Sequence, residues 1–422
     1  MTTRKIIIFV VIAASALGVY FFFYRGTPAT STTQTAENQK TIFPIFAETT
    51  TNSKTTPNNS SGVAGNTSTY SNTDNNGQEL PKLRSLVKDV VAGYTFAEKK
   101  VPNSKALETH VRYLERGTGR IKEISVNDTI PYSVSNTTIT GVFDATFNNT
   151  GDKLVIRKID DDFSIKTLYA EMSAPLATST ENQVKELSLY PSNTNFKELI
   201  DSPNKNSVLY TIADSSGSIG ITSSFEPKGL KNNKQVFSSP LKEWSIDWPS
   251  SQFLAFTTKP SYFVDGYLYL IDTKDSSQNL LLSGKKGLVT SVNPNTQTLI
   301  YSESTKNGFI SRLLNIKTGE SSIFQAQTIP DKCVWSKISP EIIYCAAPTG
   351  IPNANYPDDW YNGTISFSDD FWKINTKTGE AISLYSKKSG VDATNLSLDN
   401  NESFLALVNK NDSSLWILDV RP

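Results

Sequence analysis

The sequence predicts an all-β chain: a seven-bladed β-propeller of four-stranded blades, preceded by an N-terminal transmembrane helix and a disordered linker. Three observations carry that prediction. From Leu80 onward, short β-rich runs alternate with clusters of Gly, Pro, Asn, Asp and Ser, a spacing that signals an all-β sandwich, barrel or propeller. A unit of polar turn plus apolar strand recurs, with the middle of its second strand at Val155, Leu209, Ala255, Ile300, Ile343 and Ala406, 43 to 63 residues apart. The last unit stops after its third strand at Val420, and Leu83-Arg84-Ser85-Leu86, ahead of the first unit, can supply the missing strand and close the ring.

In chain order, residues 1–25 come first. Arg4-Lys5 precede Ile6 to Tyr24, 19 residues without a charge. At 1.5 Å per residue this is roughly 28 Å of helix, enough to cross a hydrocarbon core. Flanking basic residues favour a cytoplasmic N-terminus, and Phe21-Phe22-Phe23-Tyr24 suits the far interface. The competing reading is a cleaved signal peptide with Ala14-Ser15-Ala16 as its cleavage site. Either way the remainder is expected to be exported; with the anchor uncleaved, it is the extracytoplasmic part of a single-pass protein of the cell membrane. Residues 26–79 are dominated by Thr, Ser and Asn, with too few apolar groups to offset the entropy of ordering, and read as a flexible linker.

Residues 80–422 form the predicted propeller domain. Its turns include Asn148-Asn149-Thr150-Gly151-Asp152, Ser202-Pro203-Asn204, Trp248-Pro249-Ser250, Asn293-Pro294-Asn295, Ser339-Pro340 and Asp399-Asn400. Proline presets φ there, and Asn, Asp or Ser can close the turn with a side-chain hydrogen bond. Third strands follow, such as Tyr267-Leu268-Tyr269-Leu270-Ile271 and Leu415-Trp416-Ile417-Leu418; two others end in Lys317-Thr318-Gly319-Glu320 and Lys377-Thr378-Gly379-Glu380. A weaker first unit holds Val90 to Tyr94, His110 to Leu114 and Gly119 to Ile124.

These turns and strands resemble TolB-like, WD40-related propeller repeats over Leu80 to Pro422, without the Gly-His and Trp-Asp dipeptides of true WD40 blades. The anchor, the Ser/Thr tether, Val111 to Gly119, Cys333-Val334-Trp335-Ser336 and Asp358-Asp359-Trp360-Tyr361 are together similar to uncharacterised membrane-anchored exported proteins of candidate-phylum bacteria. That resemblance implies architecture and location, not an activity.

Lys+Arg and Asp+Glu balance at 41 each, which gives no electrostatic reason to expect nucleic acid. One histidine, His110, and two cysteines exclude His clusters and four-thiolate zinc sites, so neither a metal nor a cofactor is expected. No nucleophile elbow, Walker A, H-E-x-x-H or C-x-x-C motif is present, and on that ground no enzyme is expected. His110 reads as structural or surface-exposed, Asp160-Asp161-Asp162 as a solvated turn rather than a calcium loop, and Trp244, Trp248 and Trp335 as packing residues.

The binding candidate is the sixth unit's insertion, through Tyr356, Asp358, Asp359, Trp360, Tyr361, Asp369 and Asp370. Rings beside acids suit a carbohydrate or a peptide. The alternative is a loop that caps its own core with Trp360 as a plug. Cys333 and Cys345, on adjacent strands of one hairpin, are expected to form a disulfide, the alternative being two buried thiols. The expected function is a membrane-anchored binding or scaffold module for a protein or glycan at the cell envelope. The alternatives are a carboxylate-based glycan-active enzyme, using pairs such as Asp358 and Asp370, or a component of a surface structure.

Overall fold

The computed structural model describes residues 77–101, 106–173 and 184–421. The expected anchor at 6–24 and nearly all of the expected linker at 26–79 lie outside those residues. Among the described residues no helix is long and apolar enough to cross a membrane.

Seven antiparallel sheets of four strands each follow one another around a ring. Blade 1 contains β2 (Val91–Lys100), β3 (Leu107–Glu115), β4 (Ile121–Ser125) and β5 (Tyr132–Ser135). Blade 2 contains β6 (Val142–Phe147), β7 (Lys153–Ile159), β8 (Ile165–Met172) and β9 (Leu187–Pro191). Blade 3 contains β10 (Leu199–Asp201), β11 (Ser207–Ala213), β12 (Ser218–Glu226) and β13 (Gly229–Ser239). Blade 4 contains β14 (Trp244–Asp247), β15 (Phe253–Thr258), β16 (Asp265–Asp272) and β17 (Gln278–Lys286). Blade 5 contains β18 (Val289–Val292), β19 (Thr298–Thr305), β20 (Gly308–Asn315) and β21 (Ser321–Ile323). Blade 6 contains β22 (Cys333–Trp335), β23 (Ile342–Pro348), β24 (Asp369–Asn375) and β25 (Ala381–Tyr385). Blade 7 contains β26 (Ala393–Leu398), β27 (Phe404–Asn409) and β28 (Leu415–Asp419), and its fourth strand is β1 (Leu83–Val87), from the other end of the domain.

The second strand of each blade explains why the apolar triplets recur. Alternate side chains of a strand point to opposite faces, and here both faces are covered by neighbouring blades. Leu154 and Ile156 pack into the wedge between blades 1 and 2, while Val155 between them packs against blade 3. Leu299 and Tyr301 face blade 4 and Ile300 faces blade 6. Tyr344 and Ala346 face blade 7, whereas Ile343 and Cys345 face blade 5. The core is therefore seven apolar wedges, one per blade interface.

The turns close as their residues dictate. Asn148 Oδ1 accepts from the Lys153 amide (3.0 Å), Asn293 Oδ1 from the Asn295 amide (3.0 Å) and Asp399 Oδ1 from the Phe404 amide (2.8 Å). In the two Lys-Thr-Gly-Glu turns, Asn315 and Asn375 accept amide hydrogens from the following residues. Gly319 and Gly379 take the left-handed φ values, 74° and 77°, that glycine tolerates.

Ring closure is by β1 on β28, with Leu83 opposite Leu418, Arg84 opposite Ile417 and Val87 opposite Leu415. Leu83, Leu86 and Val87 are buried. At about 1.5–3 kcal/mol for each buried side chain, they contribute roughly 5 kcal/mol or more. Deleting residues 83–87 is expected to lower the melting temperature by at least roughly 7 °C. A melt unchanged by that deletion would show that the ring does not need this strand.

Candidate functional site

In every blade the loop from second to third strand, and the loop onward to the next blade, leave by the same face, here called the upper face. The blade 6 insertion, residues 349–368, lies there between β23 and β24. It carries a single helical turn, Asp358–Tyr361. Rather than projecting, it lies down as a strap. Tyr356, Trp360 and Phe367 form an eighth apolar cluster with Val289, Phe309 and Ile329 of blade 5 and the loop after it. The Phe309 and Tyr356 rings meet edge to face at 5.0 Å. Ser304 donates to the Tyr356 carbonyl, and the strap comes so close to Gly287 that a Cβ there would lie 2.7 Å from the same oxygen.

Under the strap lies a charged core. Lys332 Nζ sits 2.8 Å from Asp369 Oδ2 and 2.5 Å from Asp392 Oδ1, and all three side chains are 0% exposed. Nζ also donates to the Ala393 carbonyl at 3.0 Å. Asp392 accepts from the Trp360 indole (3.0 Å) and the Phe367 amide (3.0 Å), while Asp369 Oδ2 accepts from the Ala393 amide (2.7 Å). The neighbouring Trp360 and Phe367 rings cover Nζ at 5.0 and 5.2 Å. Asp369 Oδ1 is buried without a hydrogen-bond partner. Burial outweighs the pull of Lys332 and pushes the Asp369 carboxyl up to about 6.

Tyr356, Trp360 and Asp369 thus have almost no surface to offer a partner. Asp358, Asp359, Tyr361 and Asp370 are half-buried. Asp359 accepts the Asn355 amide at 2.7 Å and steadies the helical turn. Asp358 accepts the Tyr262 amide at 2.6 Å, so the strap reaches across blade 5 to a loop of blade 4. Tyr361 Oη donates to Asp331 at 2.7 Å at the mouth of the central channel. Asp370 pairs with Ala347, and burial pushes its carboxyl up. Below, Cys333 and Cys345 are opposed across β22 and β23 and are joined as a disulfide.

The first strands line the channel, where a cavity of about 200 Å³ is bordered by Ser245, Asp247, Thr290, Ser291 and Asp331. Asp247 is half-buried and lines this cavity. Burial, then the like charges of Asp331 and Asp201, push its carboxyl up to about 6, although the Val292 and Trp248 amides bond to it. Asp331 is exposed toward the bore, where withdrawal from bulk water raises its carboxyl against the hydrogen bond from Tyr361 and the nearby Lys259 and Lys332. At the upper mouth Lys259 pairs with Glu198 at 3.3 Å. Beside it, on the loop that Asp358 holds, Tyr262 and Phe263 pack edge to face at 4.9 Å, with Phe263 73% exposed. The sequence reading missed Asp247, Asp331, Lys259 and Phe263. One signal was present: Asp201-Ser202-Pro203 and Asp247-Trp248-Pro249 place an acid at the same point of two units, at the end of the inner strand.

Other candidates resolve into structure. His110 is 8% exposed and lies 3.2 Å from Glu108 and 3.4 Å from Glu123. Arg112 bonds Glu123 at 2.7 Å and the Gly151 carbonyl at 2.8 Å, tying blade 1 to blade 2. Burial alone would raise Glu123, but Arg112 and Lys99 bring it down to about 2. Of the three aspartates at 160–162, Asp160 pairs with Lys158 (3.1 Å) and Asp162 accepts the Ser164 amide (2.9 Å). Among the described residues no three His, Cys, Asp or Glu side chains are grouped to hold a metal.

No protein-family model matches the chain, and no curated protein matches it either. Solved structures do. An oligogalacturonate lyase from Vibrio parahaemolyticus superposes with a TM-score of 0.51 at 11% identity, over 83% of this chain and 96% of that one. An oligogalacturonate lyase in complex with manganese superposes with a TM-score of 0.47 at 9% identity, over 79% of this chain and 98% of that one. TolB from Acinetobacter baumannii gives 0.39 at 10% identity, over 70% of this chain and 79% of that one. These likenesses are of fold. The first of them nonetheless corrects the expectation that the chain is not an enzyme. That expectation rested on absent motifs, and an oligogalacturonate lyase shares this fold, so missing motifs of other folds do not exclude catalysis on this one.

Two outcomes follow from this geometry. Trp360→Ala removes the strap's plug and one donor to the buried Asp392; it is expected to cost about 3–5 kcal/mol, read as a fall in melting temperature of roughly 5 °C. A fall of a degree or two would mean that the strap is not a cap. For Asp247, the folded value of about 6 lies above the unfolded value of about 3.9. The native state therefore keeps a proton that the unfolded chain has lost, and stability falls as pH rises from about 4 to about 6. Asp247→Asn is expected to remove that fall, gaining on the order of 1–2 kcal/mol over wild type between about pH 4 and 7 once solvent screening is discounted. Denaturant melts at both pH values check it; parallel curves for the two proteins would contradict it.

Proposed function

We propose that this chain is a membrane-tethered, extracytoplasmic propeller that binds a protein or glycan partner on the face crossed by the strap. One observation carries the reading. The strap, through Asp358, holds an exposed aromatic loop, Tyr262-Phe263, beside a polar channel mouth formed by Lys259, Glu198, Asp331 and Tyr361. An apolar ring next to hydrogen-bonding charges is the composition of a recognition surface. The strap supplies shape, and the loop it braces supplies contact. The uncharged stretch Ile6 to Tyr24 and the Ser/Thr-rich segment after it support the tether. The Cys333–Cys345 disulfide suits an oxidising compartment.

A glycan-active reading has its own support. Asp247 keeps its proton to about pH 6 inside a cavity, next to Asp331, which is the behaviour asked of a general acid. Incubation with oligogalacturonates, followed by ultraviolet absorbance of an unsaturated product, separates the two readings. Product formation abolished by Asp247→Asn would establish catalysis. For binding, the full chain is used to capture partners from native envelope and oligosaccharides from a defined panel. Phe263→Ala and Lys259→Ala are expected to weaken capture about tenfold each with the melt unchanged. Capture by both variants at wild-type strength would place the binding surface elsewhere.

A further inference from the structure

The charged core under the strap is poorly explained as an ion pair. Taking a lysine and two carboxylates fully out of water costs several kcal/mol per ion, and such a group often stabilises less than apolar residues of the same volume. Here two acids share one amine, and Asp369 Oδ1 has no hydrogen-bond partner although it is buried. What the arrangement does provide is a reactive geometry. Lys332 ends the helical turn Pro330–Lys332 and Asp369 opens β24; backbone bonds fix both, from the Lys332 amide to the Ile329 carbonyl (2.9 Å) and from the Asp369 amide to the Val391 carbonyl (3.0 Å). The amine nitrogen is held at 2.8 Å from a carboxyl oxygen, covered by two neighbouring aromatic rings that exclude water.

We propose that Lys332 and Asp369 become joined by an isopeptide bond between Nζ and Cγ, with Asp392 as the proton relay. The two acids divide the roles by their partners. Asp392 takes the indole and amide hydrogens together with the lysine, so it serves as the acceptor and carrier of protons. Asp369 leaves one oxygen unbonded, and burial favours its protonated form, the form with a hydroxyl to lose. The step begins from an ammonium, a protonated Asp369 and an ionised Asp392. Nζ gives one proton to Asp392 and attacks Cγ of Asp369. The tetrahedral centre loses a second proton from Nζ. The former Oδ1 hydroxyl takes it up by way of Asp392 and leaves as water. The products are a secondary amide, one water and a protonated Asp392, with the triad neutral before and after. No oxidant or co-reactant is needed, and the dry aromatic surround protects the amide from the reverse reaction. Lys410, 5.6 Å from the Trp360 ring, is the other cation near this cluster. The bond is independent of what the strap-bearing face binds.

Intact mass spectrometry of the purified, disulfide-reduced full chain tests this directly. The expected mass is one water below that calculated for the chain with its observed N-terminus, unchanged by boiling. Fragment ions should join Lys332 to Asp369. Asp369→Ala is expected to restore the full mass, and so is Asp392→Asn, which keeps the shape of the relay but not its proton chemistry. Full mass for the wild-type protein, or a water lost from any other pair of residues, would overturn the bond. Retained linkage in Asp392→Asn would overturn the relay. The wild-type measurement stands even if a variant fails to fold.

Discussion

A blade in this ring has no core of its own. Each sheet buries its two faces only against its neighbours, so an open ring would leave the outer face of each end blade uncovered. The alternation along β7, β19 and β23, one side chain to the left wedge and the next to the right, is the local form of that dependence. Pairing of β1 with β28 completes the last wedges, where Leu83 joins the blade 6–7 cluster and Leu86 and Val87 join the blade 7–1 cluster.

The upper face adds a second level of constraint. The strap leaves blade 6, packs on blade 5, bonds a blade 4 loop through Asp358, and meets the loop entering blade 7 through Trp360 and Asp392. Four consecutive blades are thereby fixed in mutual orientation. The channel beneath is bordered by Asp247 and Asp331, whose carboxyls are raised by withdrawal from bulk water against the hydrogen bonds they accept. A rigid rim around a charged bore positions groups well, whether the task is recognition or proton transfer.

The fold was legible because its signals are local and repeated. Apolar triplets after Asn, Ser or Pro turns recur at a steady interval, and the missing fourth strand of the last unit pointed back to Leu83. The opposition of Cys333 and Cys345 was readable from hairpin spacing. The channel was not legible, since Asp247 and Asp331 come together only through the ring's circular geometry, from separate blades. Lys332 gave no sign of being the partner of Asp369 and Asp392, as burial of a lysine is a tertiary fact. The strap's aromatic residues were visible as unusual, but Tyr356 and Trp360 turn inward while Phe263, 97 residues before Trp360, carries the exposed ring. Chemistry-bearing residues stood out by type, and their direction was set by packing that no window of sequence contains. The absence of hydrolase and kinase motifs misled for a related reason, because those motifs belong to other folds.

The order in which the strands are made gives the closure a temporal side. β1 is the first of them to leave the ribosome and β28, its partner, is the last. Blades 1 to 6 can each assemble as their own residues emerge, because their strands are contiguous in the chain. Blade 7 cannot. Its two ends are separated by more than three hundred residues, among the longest-range pairings that a domain of this size can contain. Until the end of the chain is released, β1 waits as an unpaired edge with Leu83 and Leu86 uncovered, and that interval is when nascent protein is most exposed to mispairing with another copy.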